Sequence, residues 1–163
     1  MTARGSRNKR VRRGLRRGAA TVEMALVAPL LMFLLFSIIE FGFLVKNRAE
    51  LGQAAREGAR LGAVGSTPTH ITSGVHSSCT TIVQDRLTTS YQFRAWDEDA
   101  QTWGSWQTLS EVAGENNAEN GDQIQIQLTY NHQLLVPGLM GPVLNADENG
   151  YISLQATSVM MRE

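Results

Sequence analysis

The hydrophobic pattern begins with one long apolar stretch close to the N-terminus. Residues 24–45 contain fourteen Leu, Ile, Val or Phe residues and a single charged one, Glu40. As a helix, these twenty-two residues would be about 33 Å long, which matches the hydrocarbon core of a bilayer. The stretch therefore predicts one transmembrane helix. A cleaved secretory signal fits less well, because the stretch is longer than a usual signal core and no convincing A-x-A site follows it.

Helical composition continues beyond the apolar stretch to about Ala63, which predicts a helical stalk over residues 46–64. Small residues recur along its faces, and Gly58 and Gly62 are spaced for close packing, either within this protein or within its assembly. Its charged residues are spaced for two surface ion pairs, Lys46 with Glu50 and Glu57 with Arg60.

Residues 65–163 predict a small α+β head. After a break at Gly65–Thr69, an amphipathic helix is predicted over Val75–Leu87, with Val75, Cys79, Ile82, Val83 and Leu87 facing inward. Strands are predicted at Ser90–Trp96, at Trp103–Leu109, around Ile124–Tyr130 and at Tyr151–Met160, and a mobile polar loop at Glu111–Gly121. We expect the helix to pack on one face of an antiparallel sheet.

The distribution of charge predicts the orientation of the transmembrane helix. Eight basic and no acidic residues precede Gly18, whereas the rest of the chain carries seven basic and fifteen acidic residues. Basic residues just before a span favour a cytoplasmic N-terminus, so the head is expected outside the cytoplasm. Because topology explains these arginines and no aromatic residues lie among them, we expect no nucleic-acid partner.

The candidate chemistry is sparse, and we expect neither catalysis, a metal nor a cofactor. His76 and Cys79 are spaced for one metal, but two ligands do not close a site, and a buried apolar role suits the single cysteine better. The acidic residues Asp97, Glu98, Asp99 and Asp122 lack the spaced oxygens of a calcium loop. The three tryptophans, Trp96, Trp103 and Trp106, are expected in a cross-strand core rather than in a ligand platform.

A glycine and a carboxylate stand out before the span. Gly18 follows the basic leader, and Glu23 lies five positions later at the start of the apolar helix, where a charge is costly and usually functional. Together they resemble the class III signal of type IV prepilins, which a prepilin peptidase cuts after the glycine. The resemblance implies cleavage between Gly18 and Ala19, after which the new amine could pair with Glu23 of a neighbouring subunit. The residue after the glutamate is Met24, where many such pilins have Tyr or Phe.

A longer stretch resembles one family, the TadE-like pseudopilins of Tad (tight adherence) systems. The shared features are the arginine-rich lead, the glutamate, the proline in the span, a closing Glu-Phe-Gly and an "AAREGAR" segment, here Arg17, Glu23, Pro29, Glu40–Gly42 and Ala54–Arg60. The tail matches less closely, at a Pro-Gly-Leu turn expected over Pro137–Leu139 and at the ending Arg162–Glu163. The resemblance implies a minor pilin component in the inner membrane, whose partners are other pilins and pseudopilins, the prepilin peptidase and inner-membrane platform proteins.

Four segments are thus predicted: a basic cytoplasmic leader (1–18) that is cleaved, a transmembrane helix (19–45), a helical stalk (46–64) and an extracytoplasmic head (65–163). The alternative function is an unprocessed single-pass receptor or binding protein whose head recognises a ligand. That alternative requires a pocket, which no pattern in the sequence marks, and it leaves Gly18 and Glu23 unexplained.

Overall fold

The structure is a computed structural model that describes the backbone of residues 11–163 and the side chains of residues 18–163. Most of the predicted basic leader, with all its basic side chains, lies outside these described residues. The chain divides into two compact units, residues 1–40 and 41–163. The predicted α+β class is confirmed: a long N-terminal apolar helix is followed by a small head with an antiparallel sheet.

Helix α1 runs from Val11 to Ala63 and ends where the sequence predicts. The amide of Ser66 donates to the carbonyl of Leu61 at 3.1 Å, and the amide of Gly65 donates to that of Gly62 at 2.9 Å. These two bonds form a Schellman cap, which requires a left-handed residue after the helix. Gly65 fills that position with φ +86°.

Helix α2 (Pro68–Ser78) lies earlier in the chain than predicted, so the expected helix over Val75–Leu87 is wrong. Thr67 caps it by accepting from the amide of His70, and Pro68 begins its first turn. The helix ends before Cys79, and only a 3₁₀ turn at Gln84–Arg86 follows before the first strand. Thr81 explains this ending, because its amide donates 2.7 Å to the carboxylate of Glu50 instead of to a helical carbonyl.

A four-stranded antiparallel sheet has the order β4-β1-β7-β8. Its strands are β1 (Leu87–Arg94), β4 (Gln107–Thr108), β7 (Gln123–Gln133) and β8 (Tyr151–Met161). Two short hairpins stand beside it, β2 (Trp96–Asp97) with β3 (Thr102–Trp103), and β5 (Glu111–Val112) with β6 (Glu115–Asn116). The strands predicted at Ser90–Trp96, around Ile124–Tyr130 and at Tyr151–Met160 are confirmed with shifted ends. The strand predicted at Trp103–Leu109 is wrong as a single element, because residues 104–106 are not in a strand.

The core of the head lies between one face of this sheet and two helices. Alternate residues of β7 point into it, and they meet buried residues from α1 and α2. The fully buried side chains include Leu51 and Ala54 from α1, Ile71 and Val75 from α2, and Ile124, Ile126 and Leu128 from β7. The helical segment after residue 46 therefore packs as the central helix of the head, whereas the sequence suggested a projecting stalk.

Two predicted loops are structured. The polar stretch Glu111–Gly121 was expected to be mobile, but it contains the β5–β6 hairpin, and Asn116 is buried. The Asn116 side-chain amide donates to the carbonyls of Gly62 (2.9 Å) and Ser66 (3.1 Å), which fixes the hairpin to the end of α1. The expected turn at Pro137–Leu139 is instead the first part of helix α3 (Pro137–Leu144), since proline suits the first turn of a helix.

Candidate processing and assembly surfaces

The residues predicted for processing lie on the N-terminal part of α1. Gly18, Ala19 and Glu23 are all exposed, and a Cβ added at Gly18 would meet nothing within 4 Å. Gly18 and Glu23 are five positions apart, which corresponds to about 7.5 Å along a helix and about 140° between their directions. The Gly18–Ala19 bond is helical here, so a peptidase must unwind the turn that contains it, and glycine weakens that turn by about 1 kcal/mol relative to alanine.

The apolar stretch that follows presents large side chains to the surroundings. Leu26, for example, is 75% exposed, and Leu30, Leu34 and Ile38 are exposed as well. Glu40, the charged residue of the stretch, is buried. This is the one helix of the described chain that is long and apolar enough to cross a membrane, and such a helix fits a membrane-anchored protein.

Gly58 and Gly62 both contact the core of the head. A Cβ added at Gly58 would lie 2.9 Å from Cγ2 of Val75 on α2, and one at Gly62 would lie 3.0 Å from Cγ2 of Ile124 on β7. These glycines therefore bring α1 close to α2 and to the sheet of the same chain. Of the two arrangements that the sequence left open, the structure places both residues in packing within the protein.

The predicted ion pairs differ in outcome. Arg60 forms the expected pair with Glu57 at 2.6 Å on the surface of α1. Glu50 instead accepts hydrogen bonds from the amide and the hydroxyl of Thr81. Burial raises the pKa of the Glu50 carboxyl, but the bonds from Thr81 and Thr80 and the charge of Lys46 outweigh it, so the net pKa is lowered.

Cys79 and His76 form no metal site. Cys79 is a buried free thiol, as predicted, and burial, followed by the negative charge of Glu50, raises its pKa to about 11. Across the side chains of residues 18–163, no three His, Cys, Asp or Glu residues cluster closely enough to hold a metal ion. Asp97 caps its own turn by accepting from the amides of Asp99 and Ala100, whereas Asp122 is buried and accepts from the amide of Glu119.

The tryptophans form a surface cluster at one end of the head. Trp96 and Trp103 pair across the β2–β3 hairpin, edge to face with 5.2 Å between ring centroids. The cross-strand pair was predicted, but its place in the core is wrong, since Trp96 is 42% exposed. The Arg94 guanidinium stacks on Trp106 at 4.4 Å and on Trp103 at 5.3 Å. Beside them is an open cleft of about 600 Å³ whose lining includes Glu98 and Glu119.

A second cavity lies at the opposite end of the sheet. Its volume is about 530 Å³, and its lining includes Phe43, Lys46, Arg86, Leu134 and Leu135. Close to it, the side-chain amide of Asn47 lies 3.0 Å from Nδ1 of the buried His132. Sequence reasoning missed this pair. The signal was present, because His132 continues the inward alternation of Ile124, Ile126, Leu128 and Tyr130.

The C-terminal residues complete the end of the head that carries the Schellman cap. Arg162 donates to the carbonyl of Asn116 at 3.1 Å and pairs with Glu115 at 2.7 Å. The amide of Glu163 donates to the carbonyl of Ala63. The Arg-Glu ending therefore ties β8 to the end of α1 and to the β5–β6 hairpin.

Comparison with known proteins identifies the N-terminal region. Residues 18–60 match the family model described as TadE-like protein. Neither the curated proteins nor the solved structures include a match to the chain. The match covers Gly18, Glu23 and the whole "AAREGAR" segment, and it stops before the head's sheet. A TadE-like domain suggests a component associated with a Tad pilus. The chain therefore carries a TadE-like region at residues 18–60, within the stretch where the sequence showed the resemblance.

Proposed function

We propose that this protein is a TadE-like minor pilin component, or pseudopilin, that supports assembly of a Tad-type pilus or secretion apparatus. The observation that carries the proposal is the match of residues 18–60 to the TadE-like family on a helix whose apolar side chains are exposed. The protein is held in the inner membrane by α1, with the basic leader in the cytoplasm and the head outside. It acts through protein contacts and has no catalytic role.

In this proposal a prepilin peptidase removes residues 1–18 and leaves a cationic amine on Ala19. Support comes from the exposure of Glu23 on an apolar helix, because a carboxylate in lipid requires a charge partner. The Ala19 amine of an adjacent pilin subunit supplies that partner, and pairing inside a lipid-embedded bundle favours one register between helices. Small residues near Glu23, including Ala20, Thr21, Ala25 and Ala28, permit close helix approach.

The test is complementation of a strain that lacks this gene, with pilus yield as the readout. Glu23→Ala should abolish assembly while membrane insertion stays normal, and Glu23→Asp should restore part of it because the charge remains. Glu57→Ala is the matched control, since Glu57 is also a glutamate of α1 but pairs within the chain. Unchanged assembly with Glu23→Ala would refute the charge-pairing role.

The alternative of a single-pass binding protein gains one observation, the cleft beside Trp96 and Trp103. Its indole faces and carboxylates suit a cationic or carbohydrate ligand. Trp96→Ala would separate the two functions in the same complementation assay. A ligand-binding head predicts complete loss of function, whereas a component that acts through α1 predicts assembly close to the wild-type yield.

A further inference from the structure

One end of the head exposes apolar side chains that its own core does not cover. From Gln133 to Asn145 the chain contains no charged residue, and this segment forms α3 and the loop before it. Leu135 is 56% exposed, Leu139 41% and Val143 66%, while Met140 is buried and fixes the helix to the head. We call Leu135, Leu139 and Val143 the basal surface. Exposed apolar side chains grouped in this way usually mark a contact with another apolar phase.

The position of the basal surface is inferred from the residues that line the cavity beside it. Leu134 and Leu135 line the same cavity as Phe43 and Lys46. Phe43 lies two residues before the end of the apolar stretch 24–45, which corresponds to about 3 Å along a helix. The hydrogen bond between Asn47 and His132 fixes the end of β7 at the same level. Leu135 therefore lies beside the last turn of the predicted span, where the proposed function puts the boundary between lipid and water.

Charge around the cavity fits the phosphates of lipid headgroups. Lys46 and Arg86 both line it, and Arg86 is held 5.2 Å from the ring of Tyr151. Basic side chains at this depth attract phosphates, and their apolar stems can lie along acyl chains. The turn after α3 adds opposite charge, since the Asp147 carboxylate accepts from the amides of Asn149 and Tyr151, which stabilise its negative charge, and Glu148 follows it.

We propose that the basal surface docks on the phospholipid bilayer that holds α1, so that the head has a second, interfacial contact with the membrane. Leu135, Leu139 and Val143 enter the boundary between headgroups and acyl chains, and Lys46 and Arg86 face the phosphates. The bilayer is the occupant that this position favours, because Leu135 lines the same cavity as Phe43, and Phe41 and Phe43, at the end of the apolar stretch, are also exposed. The proposal relies on the membrane anchoring in the proposed function.

Tryptophan placed on the basal surface would report this contact. The full chain with Leu139→Trp is reconstituted into nanodiscs of phosphatidylcholine and phosphatidylglycerol, one protein per disc, with or without bromine on the upper acyl chains. The three native tryptophans belong to the opposite end of the sheet, so the wild-type spectrum is subtracted. The expected result is bromine-dependent loss of the added emission together with a blue shift.

Val112→Trp is the matched control, because Val112 is 58% exposed but lies on the β5–β6 hairpin near the other end of α1. Its emission should be the same in brominated and plain discs. Equal quenching of the two variants, or none of either, would overturn the proposal. Emission of Leu139→Trp that is blue-shifted without bromine quenching would mean that the residue is buried within the protein itself, and it would also reject the bilayer.

Val143→Trp repeats the test if Leu139→Trp fails to fold, which near-ultraviolet circular dichroism would show. Incorporation into discs is scored separately by size-exclusion chromatography. A chain that does not enter discs contradicts the membrane anchor of the proposed function. A chain that enters discs but is not quenched contradicts only the basal contact.

Discussion

Two segments of α1 differ in where their apolar side chains lie. Between residues 22 and 45 most large apolar side chains are exposed, whereas from Leu51 to Ala63 the buried positions are mainly alanine. Leaving a leucine in water rather than burying it costs about 1.5–3 kcal/mol. The first segment is therefore suited to lipid and the second to close packing against a sheet. One continuous helix thus has an exposed apolar segment that fits a membrane anchor and a second segment that packs in the core of the head.

The largest expected difference in stability is between truncating a fully buried aliphatic side chain of the head and truncating an exposed one of the apolar stretch. Ile126→Ala should lower the free energy of unfolding of the head by about 3 kcal/mol, because it removes three carbons from the core and leaves a cavity. Leu31→Ala, at a position that is 56% exposed, should leave it unchanged. Tryptophan fluorescence during urea unfolding in detergent measures both, since Trp96, Trp103 and Trp106 all lie in the head. Equal effects would contradict the division of α1.

Leucine substitutions at two glycines of α1 test the difference between its packed and exposed segments at single contacts. Gly58→Leu should destabilise the head by about 2–3 kcal/mol, since even a Cβ there lies 2.9 Å from Val75. Gly42→Leu is the matched control, because a Cβ at Gly42 meets nothing within 4 Å. It should leave the unfolding midpoint of the head unchanged. A tolerated leucine at position 58 would mean that α1 does not pack against α2 as described.

A smaller effect on stability should distinguish Glu50 from Glu57, two glutamates in the part of α1 that belongs to the head. Glu50→Gln should cost about 1 kcal/mol at pH 7, because it weakens the charge-assisted bonds from Thr81. The Glu50 pKa is lowered on folding, so its stabilisation is present above the ordinary value of 4.5 and is lost as the pH falls through the lower, folded value. The difference between wild type and Glu50→Gln should therefore shrink as the pH falls below 4.5. Glu57→Gln, in an exposed pair, should cost less than about 0.5 kcal/mol at any pH.

The predictable parts of this molecule are those whose pattern is local. The apolar stretch, the end of α1 at Ala63 and the alternation in β7 are each fixed by neighbouring residues, and the structure contains them. The end of α2 was missed because the bond from Thr81 to Glu50 joins residues thirty-one positions apart. Its start has a local signal, the cap formed by Thr67 and Pro68, which was interpreted as a break. The buried, structured position of Asn116 was also missed because of distant partners, since its side chain donates to carbonyls at the end of α1.

The placement of Gly58 and Gly62 shows a further limit on what residue spacing can predict. Their spacing predicted close packing, but spacing alone does not distinguish a neighbouring subunit from the sheet of the same chain. That distinction depends on Val75 and Ile124, which lie far away in sequence and beyond the matched region. Gly18 and Glu23 are exposed, and the roles that we propose for them depend on other proteins.

The most direct test of the proposed function is the intact mass of the protein extracted from the membrane of cells that contain the prepilin peptidase, together with its N-terminal sequence. The account predicts a chain that begins at Ala19, and a Gly18→Leu variant that begins before residue 18. Gly42→Leu, in the same helix, should be processed like the wild type. A wild-type chain that keeps its Met1 start in these cells would contradict processing and with it the assignment of α1 as a matured pilin helix.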